Sequence, residues 1–255
     1  MKKTENSTPE KKKKTLIIII CAAVVVLLAA VTAFKLYVDS SYKPLSDPSS
    51  YGSDVSISDN TIIVRDVPEE GSPRPGIIIY TDFRVEPACY IPLMLELKER
   101  GFDCYIPVSM GNIPQASLTG ADSIIKSYSA SEWYILGHGA GVSAASQYIN
   151  GHPGWIRALI ALGGTSDKIN RGACKGFLSV EATEDKLYPG CNEKNDSCFE
   201  SNIPGISVVN RVIEGGNHAG FAETSSMSGD GEATIKPSEQ WALTADAVLT
   251  FVEGQ

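Results

Sequence analysis

The sequence predicts an α/β domain with a mostly parallel central sheet flanked by helices, carried behind one apolar N-terminal helix. Three observations predict it. Short apolar runs recur from residue 61 to 213 with helix-period segments between several of them, as strands joined by crossover helices do. Trp133 to Ile149 passes from aromatic and aliphatic residues through a Gly-rich turn into small and apolar residues, so it reads as strand, sharp turn, helix. Leu16 to Phe34 is a run of 19 residues without a charge, long enough at ~1.5 Å per residue to span a hydrocarbon core of ~30 Å.

At 255 residues and 43% hydrophobic content, the chain has material for one sizeable core. The sequence divides into a basic tail (1–14), a membrane anchor (15–34), a Ser- and Pro-rich stalk (35–60) and a globular domain (61–255). The tail holds six lysines and two glutamates, and the positive-inside rule therefore places it in the cytoplasm and the domain outside. Val31-Thr32-Ala33 is an acceptable cleavage site, which would release the domain, but the apolar run exceeds the ~7–15 residues of a signal peptide. After residue 14 the chain carries 16 basic and 28 acidic side chains, a poor match for nucleic acid. The expected partners are the membrane, through the N-terminal helix, and a small ester-like molecule or a surface protein.

Within the domain, Thr61–Arg65, Gly76–Tyr80, Asp103–Val108, Glu132–Leu136, Arg157–Leu162, Phe177–Glu181 and Ser207–Ile213 are strand-like, with an edge strand at Val55–Ile57. Pro87–Arg100 shows Ile91, Met94, Leu95 and Lys98 at helical spacing. Ala121, Ile124, Ile125 and Tyr128 make a second stripe, with Thr119 and Asp122 placed as a capping box. A last helix after Pro237 should bury Trp241, Ala245, Val248, Leu249 and Val252. Cys89 and Cys104 read as buried thiols. A Cys191–Cys198 bridge would stiffen a short polar loop by ~2–3 kcal/mol in an oxidising compartment. No metal-ligand spacing and no cofactor fingerprint stands out.

The strand-turn-helix stretch has the form of a nucleophile elbow. Gly137 and Gly141 hold the small flanking positions that let the helix cross the strand, and Gly139 stands where the nucleophile belongs. A dinucleotide-binding turn is the rival reading, but it needs a third glycine where Val142 stands. Of three histidines, His218 lies in a Gly-rich loop directly after the last strand, His152 in a surface turn, and His138 beside the elbow centre, packing sideways. Asp185, after the strand Phe177–Glu181, is placed to orient an imidazole, with Glu184 as its rival.

Val55 to Val252 resembles the compact bacterial alpha/beta hydrolase fold-5 family, which lacks a large cap domain. The resemblance rests on Ile77-Ile78-Ile79-Tyr80 with Val85-Glu86-Pro87, the elbow, Thr183-Glu184-Asp185, Ile213-Glu214-Gly215-Gly216-Asn217-His218-Ala219, and Gly229-Asp230-Gly231-Glu232-Ala233-Thr234-Ile235. It implies a serine at 139, a triad completed by Asp185 and His218, and an oxyanion hole from the backbone amides of Ala140 and of Asp82 or Phe83. Two departures stand out. Gly139 has no oxygen to attack with, and the turn Thr81-Asp82-Phe83-Arg84, usually small and Gly-rich, crowds the hole with a carboxylate. Ser143, one helical turn further along, is better explained by helix packing.

Two functions follow. One is a membrane-anchored protein of esterase-like ancestry with weak or altered hydrolysis. The other is a pseudoenzyme that binds a ligand or protein at the cell surface. On sequence alone, Gly139→Ser should create a burst with activated short-chain esters.

Overall fold

Short apolar strands with crossover helices on both faces become a single eight-stranded sheet in the computed structural model, which describes residues 9–66, 73–188, 203 and 205–255. The strands are β1 (Val55–Ser58), β2 (Thr61–Val64), β3 (Gly76–Tyr80), β4 (Asp103–Pro107), β5 (Trp133–His138), β6 (Ala158–Leu162), β7 (Gly176–Ala182) and β8 (Ser207–Ile213). Their order is β1-β2-β4-β3-β5-β6-β7-β8. β1 and β2 pair antiparallel, as do β2 and β4, and every later pairing is parallel. The inner parallel strands are covered on both faces, which is why β3 reads Gly-Ile-Ile-Ile-Tyr with no polar alternation and is buried throughout, whereas the edge strand β8 is largely exposed.

One apolar cluster joins Ile77, Ile79, Leu136 and Ile160 to Leu93, Leu97, Val248 and Phe251. The other joins Ile78, Ile135 and Leu159 to Ile124, Val142, Ala145 and Ile149. Burying a large aliphatic side chain contributes about 1.5–3 kcal/mol, and these two layers are where the stability resides. Cys89 and Cys104 are buried free thiols within the first layer, and burial pushes the Cys89 thiol up to about 12. The Cys191–Cys198 pairing lies outside the described residues.

Helix α2 (Ile91–Glu99) follows a 3-10 turn at Pro87–Tyr90, so the single expected helix is two pieces broken at Tyr90. Lys98 on its stripe is held by Asp54 at 2.9 Å rather than packed as core. Helix α3 (Gly120–Ser127) has no side-chain cap from Thr119. Asp122, expected to complete that cap, accepts a hydrogen bond from Tyr148 at 2.8 Å. Helix α4 spans Ala140–Gly151, and helix α5 spans Pro237–Glu253. On α5 the fully buried positions are Gln240, Thr244, Ala245, Val248 and Phe251, whereas Trp241, Leu249 and Val252 are partly buried. The apolar face is therefore turned from the expected one, because Gln240 points into the site region.

The first unit, Met1–Ser40, contains α1 (Pro9–Asp39), a helix with an 18-residue stretch of mean hydropathy 3.2, long and apolar enough to cross a membrane. The second unit runs from Ser41 to Gln255. The expected stalk at 35–60 is thus divided: α1 continues to Asp39, and the residues from Ser41 pack with the domain. The Ser- and Pro-rich composition left main-chain groups free to pair, as Tyr42 does with Val85.

The elbow glycines are not equivalent to glycines elsewhere. A β-carbon at Gly141 would collide with the Tyr80 carbonyl, which is backbone and cannot yield, whereas one at Gly151 meets nothing. In urea unfolding, Gly141→Ala should cost about 1–3 kcal/mol, and Gly151→Ala should be neutral or stabilising by up to about 1 kcal/mol.

Candidate functional site

The carboxyl ends of β3, β5 and β7 and the loop after β8 converge on one buried polar cluster. At the end of β5, Gly139 adopts φ 50° and ψ −117°, a strained elbow backbone open to glycine. A β-carbon at Gly137 would press on the Val142 backbone at 2.6 Å, so helix α4 crosses the strand only because both flanking residues lack one.

The loop after β7 supplies Asp185. Its Oδ1 accepts the amides of Leu187 at 2.9 Å and Tyr188 at 2.8 Å, which leaves Oδ2 to meet His218 Nδ1 at 2.8 Å. Glu184, the rival acid, instead lies beside Thr183. The loop after β8 supplies His218, and the Gly229–Ile235 segment fixes that loop from behind. Asp230 accepts the amides of His218 at 3.3 Å and Ala219 at 2.8 Å, while Asn217 donates to the Gly231 carbonyl at 2.7 Å. Gln240 on α5 closes the loop, accepting from the Asn217 amide and donating to its carbonyl.

The turn after β3 brings a side chain, rather than an amide, into the site. Asp82 Oδ2 lies 3.1 Å from His218 Nε2, and Oδ1 accepts the Ala140 amide at 2.7 Å. The carboxylate fills the volume that a nucleophile's side chain would take: a β-carbon on Gly139 would clash with Oδ1 and lie 2.9 Å from Oδ2. The amide expected to serve an oxyanion from Ala140 is therefore occupied by Asp82. The Asp82 amide, the second expected donor, donates to the Tyr90 hydroxyl at 2.8 Å, so it is spent inside the protein. Phe83, the other candidate, sits on the same turn with its ring partly exposed. Ser143 faces away, its hydroxyl donating to Asp167 at 2.7 Å. A β-carbon at 139 would meet the Asp82 carboxylate, so a serine there has room only if that side chain moves aside, a condition that the expected burst from Gly139→Ser did not include.

Proton placement follows from this network. The Tyr90 hydroxyl accepts from the Asp82 amide and shares a hydrogen bond with His138 Nδ1 at 2.8 Å, while His138 Nε2 is buried with no hydrogen-bond partner among the described residues. The His138 imidazole is held neutral. Burial, with the charge of neighbouring His218, pushes its pKa down to about 3. His218 is stacked between the rings of His138 at 4.3 Å and Tyr188 at 5.2 Å. Burial opposes its charge, but hydrogen bonds to Asp185 and Asp82 outweigh burial and hold its pKa up to about 9. Burial likewise works to raise the Asp82 pKa and is outweighed by His218 and the Ala140 amide, so that carboxylate is held below its ordinary value. At neutral pH these shifts favour an imidazolium at His218 paired with the Asp82 carboxylate.

Asp82, His138 and His218 bring ligand-type atoms within 4.8 Å of one another. A cation there would have to displace the proton shared by His218 and Asp82; of the two His138 nitrogens, Nδ1 is engaged by Tyr90 and Nε2 has no hydrogen-bond partner among the described residues.

Residues 76–242 match the profile of the alpha/beta hydrolase family. The chain belongs to that family. Solved structures sharing the fold include a predicted CIB-like hydrolase from Thermoplasma acidophilum, 18% identical with a TM-score of 0.51, covering 74% of this chain and 91% of that one. Est1E from Butyrivibrio proteoclasticus is 14% identical with a TM-score of 0.53, covering 78% and 98%. An esterase from the fungus Rhizomucor miehei is 12% identical with a TM-score of 0.54, covering 78% and 82%. No curated protein sequence matches the chain. Within this alpha/beta hydrolase, the sequence-predicted Gly139, Asp185 and His218 come together. The Asp82 side chain, Tyr90, Tyr188 and Asp230 join them. The non-glycine turn after Tyr80 was the signal for Asp82; nothing in the sequence pointed to Tyr90, which acts from the far end of a 3-10 turn.

The two histidines set opposite limits on stability. His218, raised from 6.5 to about 9, stabilises the fold fully below pH 6.5, and that contribution is lost as pH rises through 9. His138, lowered to about 3, must stay neutral when folded, so stability falls as pH drops from 6.5 towards 3. Denaturant unfolding should therefore be most demanding near pH 6.5. Asp82→Asn should flatten the alkaline limb and lower the His218 pKa, measured by NMR titration; an unchanged limb would contradict the ion pair.

Proposed function

We propose that this alpha/beta hydrolase is a membrane-tethered, extracytoplasmic pseudoenzyme that acts by binding a ligand or protein at the cell surface rather than by serine-based ester hydrolysis. The observation that carries the reading is the Asp82 carboxylate in the nucleophile's place, paired with His218 at 3.1 Å. Three requirements of acyl transfer fail together. There is no hydroxyl at 139, the Ala140 amide is spent on Asp82, and an imidazolium cannot take a proton from serine or water. The long apolar stretch of α1, preceded in its first turns by Lys11, Lys13 and Lys14, supports a single-pass anchor with its N-terminus in the cytoplasm.

A reading with altered hydrolysis draws on the intact Asp185–His218 pair at 2.8 Å, the orienting half of a triad. It requires Asp82 to leave, since only then does His218 lose the second anion that keeps it protonated.

A fluorescent serine-directed phosphonate separates these cases. The unaltered chain should not label, and neither should Gly139→Ser. The pair Gly139→Ser with Asp82→Gly should label and give a burst with a p-nitrophenyl ester. Labelling of the unaltered chain would sink the proposal.

A further inference from the structure

The turn that bears Asp82 is held in a conformation it would not choose alone. Arg84, two residues on, has φ 61°, in the left-handed region where a residue other than glycine persists only if its surroundings dictate it. Two neighbours do so. The Arg84 amide donates to the Asn112 carbonyl at 2.9 Å, and its carbonyl accepts the Tyr42 amide at 2.8 Å. Tyr42 then accepts the Glu86 amide at 3.0 Å, completing a parallel bridge to Val85.

The same stretch of chain also grips the far side of the site. Pro44 pairs with Thr224, and Glu223, five residues after His218, accepts from the Ser46 hydroxyl, from the Ser46 amide at 3.4 Å and from the Tyr51 hydroxyl at 3.2 Å. The Glu223 amide donates to the Cys89 carbonyl at 2.7 Å, tying this grip to the segment that leads into α2. Residues 41–51 thus bind the two loops that carry the opposed charges, and they begin directly after α1 ends at Asp39.

We propose that residues 41–51 are a strap that positions Asp82, so that the segment adjoining the anchor keeps the site closed and its detachment lets the Asp82 turn relax and uncovers His218. This rests on the reading above, that Asp82 closes the site. Tyr42, Ser46, Tyr51 and Glu223 are positioning residues: Tyr42 holds the turn, and the others hold Tyr42's neighbours against the His218 loop. Without the Tyr42 amide, the Arg84 carbonyl loses the contact that fixes its left-handed geometry from one side. The strain is then released two residues from the carboxylate.

The chain's three histidines make the test direct. Full-length protein in detergent micelles, labelled with nitrogen-15 at histidine, is titrated by NMR. Around the His218 ring stand Asp185, Asp82, His138 and Tyr188, with Asp230 bound to its amide; of these, Asp82 is the group on the strapped turn. In the unaltered chain His218 should titrate at about 9. Deleting residues 41–50 should lower that by at least about one unit, towards the ordinary ~6.5, and should raise deuterium exchange at the Ala140 amide at least ~10-fold. A deletion variant that melts cooperatively yet keeps both values overturns the strap. If the deletion does not fold, Ser46→Ala with Tyr51→Phe and Glu223→Gln keeps every backbone pair and should move His218 the same way by less; no movement overturns the proposal. A His218 that titrates near 6.5 in the unaltered chain defeats the closed-site reading and the strap with it. A value near 9 that survives loss of the strap defeats the strap alone.

Discussion

The contact between Asp82 and His218 organises everything around it. A carboxylate and an imidazole buried together each lose solvation worth several kcal/mol, and the arrangement persists because the other polar atoms of this pair find partners. Asp185 takes the other imidazole nitrogen, Ala140 the other Asp82 oxygen, and Tyr90 the Asp82 amide. Gly139 makes the contact sterically possible, because any side chain there would occupy the same space. The missing hydroxyl and the intruding carboxylate are thus one structural event seen from two strands.

The sheet explains why these groups meet at all. In a parallel sheet the carboxyl ends of the strands share one edge, and each loop leaving that edge can offer a side chain to a common point. β3 offers Asp82, β5 the elbow, β7 Asp185 and the β8 loop His218. Close approach of helix to strand at Gly137 and Gly141 brings the Ala140 amide to the same point. Precision at this edge comes from the second layer of contacts, with Asp230, Asn217 and Gln240 fixing the backbone on which His218 stands.

Much of this was legible in the residues. The continuous apolar runs gave the strands, since a doubly covered strand has no polar alternation to hide it. The order of elbow, acid and histidine named three positions that do converge. Asp82 was legible as a carboxylate crowding the turn, yet its side chain's aim depends on Arg84's left-handed backbone and on Tyr42, 40 positions earlier, which no local pattern encodes. The stalk was misread for a related reason. Composition reports what a segment can do with its side chains, and residues 41–51 are held largely through main-chain pairs and one acceptor, Glu223. The rotated face of α5 has the same origin, because Gln240 is inward for its hydrogen bonds and not for its hydrophobicity.

Gln240 also ties the histidine to the packing of helix α5. The amide and carbonyl of Asn217 are both secured by this one side chain, on a helix whose Ala245, Val248 and Phe251 are buried in the apolar layer. The loop that carries the imidazole therefore shares the fortunes of that layer, and whatever loosens the helix from the sheet loosens the histidine with it.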